Sequence, residues 1–169
     1  MKYSVIMALD NQDGYAKEGK IPWHFSEDLK RFKKLTMGQV CIMGRNTYEE
    51  INNIMGERGA QDVLPGRLSI VLSQTMNNVQ NAIVIQNIEQ LPIILSNIPQ
   101  ASEVFFIGGK QIFNIGVEIA DNIYLTRINQ NYSCDSFFKY GDIVTKYTHL
   151  TNIKSNNPNL TFLKFSKCW

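Results

Sequence analysis

Residues 40–47, Val-Cys-Ile-Met-Gly-Arg-Asn-Thr, contain a short apolar run that stops at Gly44 and passes directly into a segment with helical character. A continuous apolar run of this length is typical of a strand that is buried on both faces. A glycine at its end lets the chain turn tightly into a helix whose first backbone amides point outward. Residues 104–111, Val-Phe-Phe-Ile-Gly-Gly-Lys-Gln, have the same arrangement with two glycines. The two junctions predict a parallel sheet that is covered by helices.

The same alternation extends along the chain. The predicted strands are Tyr3–Leu9, Val40–Met43, Ser69–Leu72, Ala82–Ile85, Val104–Ile107 and Ile123–Ile128. The predicted helices are Glu27–Thr36, Thr47–Asn53, Glu89–Asn97 and Gln111–Ile119. After Asn129, alternating segments at Tyr147–Ile153 and Leu160–Cys168 predict an antiparallel hairpin at one edge. The fold class is therefore α/β, with a central mixed, mostly parallel sheet of about eight strands that is flanked by about four helices.

Length and composition are those of a soluble globular protein with one domain, spanning residues 1–169. The chain has 44% hydrophobic and 19% charged residues, and its net charge of +2 is too small to indicate nucleic acid binding. The apolar run at 3–9 is too short to span a membrane, and it lacks a clear signal-peptidase site. Three cysteines without a CxxC spacing indicate reduced thiols. We therefore expect a cytoplasmic protein.

The stretch Asn52–Leu64, Asn-Asn-Ile-Met-Gly-Glu-Arg-Gly-Ala-Gln-Asp-Val-Leu, is the least regular part of the chain. It predicts an inserted surface loop without a function of its own.

Residues 21–36, Ile-Pro-Trp-His-Phe-Ser-Glu-Asp-Leu-Lys-Arg-Phe-Lys-Lys-Leu-Thr, place an acid on the apolar side of a helix. Ser26 is the predicted N-cap. One face of the helix consists of Asp28, Leu29, Phe32, Leu35 and Thr36. The opposite, charged face consists largely of Lys30, Arg31, Lys33 and Lys34. The helix macrodipole explains an acid in the first turn, with about 0.3–1 kcal/mol of stabilisation. A half-buried acid beside Trp23 in a cleft is the alternative, because burial would raise its pKa and keep a proton available.

Three further positions could bind anions. At the first junction, free amides with Arg45 and the Thr47 hydroxyl suit an anion, although a simple glycine turn accounts for them equally well. Gly108-Gly109 would allow a ligand to approach the backbone, but the chain has neither a P-loop nor a GxGxxG spacing. Arg67 follows a Pro-Gly turn and is either a solvated charge or an anchor for a carboxylate. Because the chain has two histidines and no His/Cys cluster, we predict no metal site.

Taken in order along the chain, these motifs resemble those of dihydrofolate reductases. They are the N-terminal strand, Pro22-Trp23 before the helix acid, Met43-Gly-Arg-Asn-Thr47, Leu64-Pro-Gly-Arg67, Ile107-Gly-Gly109 and Tyr124-Leu-Thr126. The resemblance runs from Val5 to about Phe138, and the final hairpin agrees with it. Members of that family pass a hydride from NADPH to C6 of dihydrofolate while N5 gains a proton, which yields tetrahydrofolate for thymidylate and purine synthesis. The resemblance thus implies this reaction, with NADPH as cofactor.

The resemblance also implies roles for individual residues. Asp28 would be the ionisable group of the pterin pocket and would favour protonation at N5 through water near Trp23, with Thr126 orienting the carboxylate. Arg67 would bind the glutamate α-carboxylate of the substrate. The other implied substrate-binding residues are Ile6, Leu29, Phe32, Ile51 and Ile107.

The implied cofactor site has three parts, within a domain that has an adenosine-binding and a substrate lobe. Residues for the pyrophosphate and the adjoining helix are Gly108, Gly109, Lys110, Gln111, Ile112 and Phe113. Residues for the adenosine phosphates are Gly44, Arg45, Asn46, Thr47, Ser73 and Gln74. Residues near the nicotinamide, including part of the mobile lid at 13–21, are Ala8, Ala16, Ile21 and Ile107. Arg45 would favour NADPH over NADH.

The sequence departs from the family pattern at several positions. Ala16 stands in place of a lid glycine, and Lys110 in place of the third glycine of a common triple. Phe113 replaces a frequent tyrosine and Tyr48 a frequent tryptophan. These departures concern rate and cofactor affinity more than the type of reaction. Two other functions remain open, a pyrimidine reductase of riboflavin synthesis and a non-catalytic nucleotide-binding module. We expect a monomer whose partner is a small molecule, with no nucleic acid or membrane partner.

Overall fold

The computed structural model describes residues 1–167 and is built around an eight-stranded sheet. The strands are β1 (Lys2–Leu9), β2 (Gly14–Ala16), β3 (Val40–Gly44), β4 (Leu68–Leu72), β5 (Ile83–Ile85), β6 (Glu103–Phe106), β7 (Asn122–Ile128), β8 (Ser136–Phe137), β9 (His149–Ile153) and β10 (Leu160–Ser166). The helices are α1 (Ser26–Thr36), α2 (Arg45–Glu57), α3 (Leu91–Ser96), α4 (Lys110–Ile119) and α5 (Tyr140–Val144), with a 3₁₀ turn at Ile88–Gln90. None of these helices is long and apolar enough to cross a lipid bilayer.

The large sheet is mixed and mostly parallel. Its strand order is β5-β4-β3-β6-β1-β7-β10-β9, and β2 pairs with β8 in a separate two-stranded ribbon. All strands from β5 across to β7 are parallel, whereas β10 is antiparallel to both β7 and β9. The predicted fold class, including the antiparallel C-terminal hairpin, is confirmed. Because the parallel strands share one direction, their carboxyl ends meet at a single edge of the sheet, where ligands bind in open α/β sheets.

The sheet is covered by apolar side chains on both faces. Along β3, Val40 and Ile42 belong to one hydrophobic cluster, while Cys41 and Met43 belong to another on the opposite face. Successive strand residues point to opposite faces, so a strand covered on both sides has no polar alternation. This is why the central strands were recognisable as continuous apolar runs.

Helix α4 approaches the sheet closely at Gly116. A Cβ atom at this position would lie 2.6 Å from Val5 Cγ2 and 2.9 Å from Phe106 Cβ, so β1 and β6 leave no room for a side chain. The contact fixes the height of α4 above the sheet. It thereby places the start of α4 at the carboxyl edge of β6.

The start of α1 differs from the prediction. Phe25, not Ser26, has the extended backbone conformation of the N-cap, and no side chain caps the helix. The Phe25 carbonyl accepts the first helical hydrogen bond, from the Leu29 amide at 3.1 Å. The prediction of Ser26 as N-cap is therefore wrong.

The carboxylate of Glu27 connects α1 to the loop of the C-terminal hairpin. It accepts hydrogen bonds from the Ser155 hydroxyl at 2.8 Å and from the amides of Asn156 at 3.0 Å and Asn157 at 3.2 Å. These bonds, first that from Asn156, lower the pKa of Glu27. The first turn of α1 is thus attached to the edge of the sheet.

Helix α2 is longer than predicted, and this corrects the expectation of a surface loop over Asn52–Leu64. The helix continues to Glu57, and the chain leaves it through Gly59, whose φ of 75° glycine adopts at little cost. Val63 and Leu64 are buried against the sheet. The prediction fails because the last turn of α2 has no clear hydrophobic period in the sequence. Val63 and Leu64 are too isolated to show one either.

The shortest elements were not predicted. β2, β8 and α5 contain three, two and five residues, too few for a period to show. The predicted helix at Glu89–Asn97 is divided into the 3₁₀ turn and α3. The predicted last strand ended at Cys168, which lies outside the described residues; within them β10 ends at Ser166.

Candidate active site

The two glycine junctions lie side by side at the carboxyl edge of the sheet. β3 and β6 are neighbours, the Gly44 amide donates to the Gly108 carbonyl at 2.8 Å, and the Ile107 amide donates to the Ile42 carbonyl at 3.0 Å. Helices α2 and α4 therefore begin next to each other, with Gly44 and Gly109 as N-caps and no capping side chain on either. The first amides of both helices are free to bind an anion, and both helix dipoles favour one.

A cavity of about 670 Å³ opens beside these helix starts. Most of the predicted phosphate-binding residues line it, namely Gly44, Arg45, Asn46, Ser73, Gln74, Gly109, Lys110, Gln111 and Ile112. Arg45 is held across the mouth, because its Nε donates to Glu49 Oε1 at 2.8 Å and its Nη1 to Thr75 Oγ1 at 3.1 Å. The structure thus brings together residues from β3, β4 and β6 that are far apart in sequence.

Three polar residues of this cavity were not predicted: Thr75, Gln86 and Asn87. They follow β4 and β5, whose carboxyl ends lie at the same edge as those of β3 and β6. Ser73 and Gln74 were expected only from the family resemblance, whereas the rule that ligands bind at the carboxyl ends of parallel strands would have found Gln86 and Asn87 after β5. Gln86 and Asn87 could therefore have been predicted from the sequence.

Thr47, Gly108 and Phe113 do not line this cavity, but they are close to the second glycine junction. A Cβ atom at Gly109 would be 4.0 Å from Thr47 Oγ1, so this hydroxyl faces the second glycine. Gly108 has a φ of 125°, and the Phe113 ring packs beneath it at a distance that leaves little space for a Cβ. Phe113 is buried, and the centre of its ring lies 5.4 Å from the centre of the Tyr15 ring. A ligand at Gly108 would therefore rest on backbone supported by an aromatic ring.

Asp28, on α1, is half-buried against the sheet. Its Oδ1 accepts a hydrogen bond of 2.6 Å from the hydroxyl of Thr126, which is on β7 and pairs with Ala8 of β1. Burial raises the pKa of Asp28, and this effect outweighs the lowering by Thr126 and by the positive charge of Arg31. Of the two alternatives that the helical pattern left open, the half-buried acid is the one that describes this geometry. The macrodipole alone does not account for a carboxylate bonded to the neighbouring sheet.

The apolar residues predicted for the site fall into two hydrophobic clusters. Ile6, Phe32, Ile51 and Ile107 belong to one hydrophobic cluster, which also contains Tyr124. Trp23 and Ala8 belong to a smaller cluster, in which the Trp23 ring meets the Tyr132 ring at 5.3 Å.

Leu29 and Ile21, by contrast, are 51% and 57% exposed, so the protein itself leaves both side chains uncovered. The Ile21 amide donates to Glu50 Oε1 at 3.3 Å, which attaches the end of the predicted lid to α2. Ala16, the other lid residue, is buried in β2, where its carbonyl accepts a hydrogen bond from the Asp135 amide at 3.0 Å.

Arg67 is fixed and is not a freely solvated charge. Its Nη1 donates to the Thr36 hydroxyl at 3.2 Å, its Nε donates to the Pro65 carbonyl at 3.2 Å, and its guanidinium carbon is 5.9 Å from the centre of the Phe32 ring. Thr36, which was expected only on the apolar face of α1, thus orients a predicted substrate-binding residue. Such a fixed guanidinium suits a carboxylate.

The sequence matches the dihydrofolate reductase family over residues 2–167. The chain belongs to this family. It is 34% identical to dihydrofolate reductase type 9 of Escherichia coli, over 92% of this chain and 93% of that protein. It is 35% identical to dihydrofolate reductase of Staphylococcus aureus, over 82% and 78% of the two chains. The structure resembles that of dihydrofolate reductase from Enterococcus faecalis complexed with NADP(H) and RAB-propyl, with a TM-score of 0.75, 25% identity, and coverage of 98% and 95%.

The predicted reaction is therefore confirmed. As a dihydrofolate reductase, the chain is an NADPH-dependent oxidoreductase that acts on dihydrofolate. A pyrimidine reductase and a non-catalytic nucleotide-binding module, the two other functions considered from the sequence, are not favoured.

Proposed function

We propose that Asp28, Thr126 and Trp23 form the catalytic centre of this dihydrofolate reductase, and that residues 1–169 act as a single monomeric domain in the cytoplasm. The hydrogen bond between Thr126 and Asp28 is the observation that supports the centre most directly. It attaches the half-buried carboxyl group of Asp28 to β7 near the carboxyl end of that strand, and so at the carboxyl edge of the sheet. Substrate and nucleotide would then meet at this edge.

Asp28 would hold the pterin and favour its protonation. Its carboxyl group would bond the 2-amino and N3 positions, while Thr126 fixes the plane of the group from the side of β7. Because burial raises the pKa of Asp28, the carboxyl keeps its proton to a higher pH than an exposed aspartate does. Protonation at N5, through water near Trp23, is accordingly favoured at lower pH.

The residues present at the glycine junctions fit the cofactor. The free amides that follow Gly44 and Gly109 would bind the pyrophosphate, and Lys110 and Arg45 supply positive charge at the cavity. When bound, NADPH supplies the hydride for the reaction. Ile107, at the end of β6, belongs to the apolar cluster of the pterin pocket and would help to exclude water there. The remaining proposed contacts are those of Asn46, Thr47, Ser73 and Gln74 with the adenosine phosphates.

The direct test is a spectroscopic assay of the purified protein. We expect the absorbance of reduced nicotinamide to fall when dihydrofolate is added to protein and NADPH. A protein that binds NADPH but shows no such fall over a range of pH would be a nucleotide-binding module, and the proposed catalytic centre would be rejected.

Arg45 provides a test of the cofactor site. We expect Arg45→Gln to raise the KM for NADPH by about 10- to 100-fold, because a charged hydrogen bond to phosphate contributes about 1.5–3 kcal/mol. The KM for NADH, which lacks the 2′-phosphate, should change little. Glu49→Gln is the matched control, since it removes the partner of Arg45 and retains the cation. An equal loss for both cofactors would contradict the role of Arg45.

Arg67 provides a test of the substrate site. We expect Arg67→Met to raise the KM for dihydrofolate by about 10- to 100-fold with little change in kcat, because a bidentate anchor remote from the reacting atoms contributes mainly to binding. A pterin substrate without the glutamate group is the control, and its KM should not respond to the substitution. If both substrates lose the same affinity, Arg67 acts through Thr36 and the fold and does not bind the carboxylate.

A further inference from the structure

Arg31 is the residue that deviates most from the sequence expectation. The helical pattern assigned it to the solvated face of α1 with the lysines, but its guanidinium is packed against aromatic rings. The guanidinium carbon lies 4.5 Å from the centre of the Phe162 ring and 5.8 Å from that of Tyr124. Its Nη2 atom is buried and has no hydrogen-bond acceptor within residues 1–167. The prediction for Arg31 is wrong because β10 covers this side of the helix.

The sheet places this guanidinium on the same surface as the catalytic acid. Phe162 on β10 is directly opposite Thr126 on β7, and Tyr124 precedes Thr126 by two residues, so the three side chains share one face. Asp28 and Arg31 are three residues apart on α1 and therefore lie on one side of the helix. Asp28 contacts Thr126, while Arg31 contacts the two aromatic neighbours of Thr126.

The other charged groups around this surface do not pair with Arg31. Glu27, in the first turn of α1, is bonded to the hairpin loop through Ser155. Lys164 on β10 has its ammonium group 5.4 Å from the centre of the Tyr124 ring, and Glu103 on β6 is bonded to the Ser4 hydroxyl. Among the described residues, none forms an ion pair with Arg31 within 4.0 Å. Its charge is thus not cancelled by a direct partner.

We propose that Arg31 is a positioning residue for the proton-transfer step, a fixed cation on the same side of α1 as Asp28 that stabilises the ionised form of this acid and thereby sets the pH range of catalysis. The inference rests on the role given to Asp28 in the proposed function. A guanidinium group remains charged at every pH at which the protein is folded, so its effect is constant while Asp28 titrates. The positive charge of Arg31 lowers the pKa of Asp28 and partly offsets the rise caused by burial.

A purely structural role for Arg31 makes a different prediction. A buried guanidinium nitrogen without an acceptor is unfavourable, and replacing such a group by an apolar side chain of similar length is often neutral or stabilising. If Arg31 acts through its charge, Arg31→Met should change the pH profile without lowering the midpoint of urea unfolding. If Arg31 serves only to pack the helix, the same substitution should lower that midpoint and leave the profile unchanged.

The experiment compares Arg31→Gln, Arg31→Met and Arg31→Lys with Lys30→Gln, which removes an exposed positive charge from the neighbouring position of the same helix. Two quantities are measured against pH: kcat, and the ¹³C resonance of the Asp28 carboxyl carbon in the protein alone, assigned with Asp28→Asn. Loss of the cation makes the carboxylate less favourable, so its pKa should rise. We expect both midpoints to move upward by roughly half to one pH unit in Arg31→Gln and Arg31→Met, and to stay near the wild-type value in Arg31→Lys and Lys30→Gln.

Two outcomes would overturn the inference, and they can be told apart. An Asp28 resonance that titrates at the same pH in Arg31→Gln and in wild type shows that the cation does not act on the acid. A resonance that moves while the kcat profile does not shows that Asp28 does not limit the rate, which also rejects its role in the proposed function. In both cases, turnover of dihydrofolate by the wild-type protein is measured separately, so it tests the proposed function independently of Arg31.

Discussion

Replacing Asp28 with asparagine is expected to lower kcat for dihydrofolate by about 10²- to 10⁴-fold at neutral pH, with no change in the affinity for NADPH. Asparagine keeps the size of the side chain and can still accept the hydrogen bond from Thr126, so the pocket retains its shape. It cannot ionise, and it would not hold the proton that the pterin requires. Single-turnover kinetics and fluorescence titration with NADPH would measure the two effects separately.

The same substitution has a characteristic dependence on pH. Wild-type kcat should fall as pH rises through the raised pKa of Asp28, and the residual activity of Asp28→Asn should not show that decline. Because the pKa of Asp28 is higher in the folded than in the unfolded chain, its contribution to stability is present below the unfolded pKa and is lost as pH rises through the folded pKa. Asparagine has no such loss. Asp28→Asn should therefore be at least as stable as wild type at neutral pH.

Urea unfolding at neutral and acid pH tests the expected stability of Asp28→Asn. A variant that is inactive, stable and able to bind NADPH would establish Asp28 as the chemical group. Wild-type kcat in Asp28→Asn at neutral pH and above would show that another group provides the proton. An unfolded variant is excluded as a cause of inactivity by the same unfolding curves.

Gly116→Ala is expected to be the most damaging of the small substitutions, with a loss of roughly 1–3 kcal/mol in the free energy of unfolding. The added methyl group would lie 2.6 Å from Val5 Cγ2 and 3.0 Å from Phe106 Cγ, which belong to fully buried residues of the two strands below α4. Neither side chain has space to withdraw, so the helix must move. Because α4 begins at the second glycine junction, we also expect weaker binding of NADPH.

Gly56→Ala is the matched control for this prediction. Gly56 is also helical, but a Cβ atom there would meet nothing within 4 Å. Alanine should therefore stabilise α2 by roughly 0.5–1 kcal/mol through its higher helix propensity. Urea unfolding of the two variants should thus show midpoints displaced in opposite directions. A rise of both midpoints would mean that helix propensity, not the contact with β1 and β6, determines the effect of Gly116→Ala.

The central sheet could be predicted from the sequence because its strands are buried on both faces. Residues 40–43 and 104–107 are continuous apolar runs followed directly by glycine, a pattern typical of buried parallel strands that lead into helices. The ends of the helices could be predicted less well. Phe25 caps α1 through its backbone alone, and α2 ends at a glycine that lies beyond a helical segment with weak periodicity. Neither a capping side chain at the start of α1 nor a clear hydrophobic period at the end of α2 marks the boundary in the sequence.

The candidate site was predictable where it depends on local chain geometry. Gly44 and Gly109 follow from the pattern of an apolar strand that ends in glycine before a helix, whereas Ser73 and Gln74 after β4 were expected only from the family resemblance. The pairing of Asp28 with Thr126 could be expected only from the family resemblance, since nothing local connects two residues that are 98 positions apart. The position of Arg31 was misjudged because a helical pattern cannot show that Phe162, from the last strand, covers a face occupied by charged side chains.

Glu27 also connects the completion of the active site to the order in which the chain is synthesised. The hairpin loop that holds this carboxylate contains Ser155, 128 residues further along, and Phe162 packs on Arg31 from still later in the chain. Translation proceeds from the N-terminus, so α1 leaves the ribosome long before these partners exist. A nascent chain that lacks the last two strands already contains both glycine junctions, but it lacks the hairpin loop and Phe162, which contact α1 beside Asp28. The surroundings of Asp28 are therefore completed only after β10 has been synthesised.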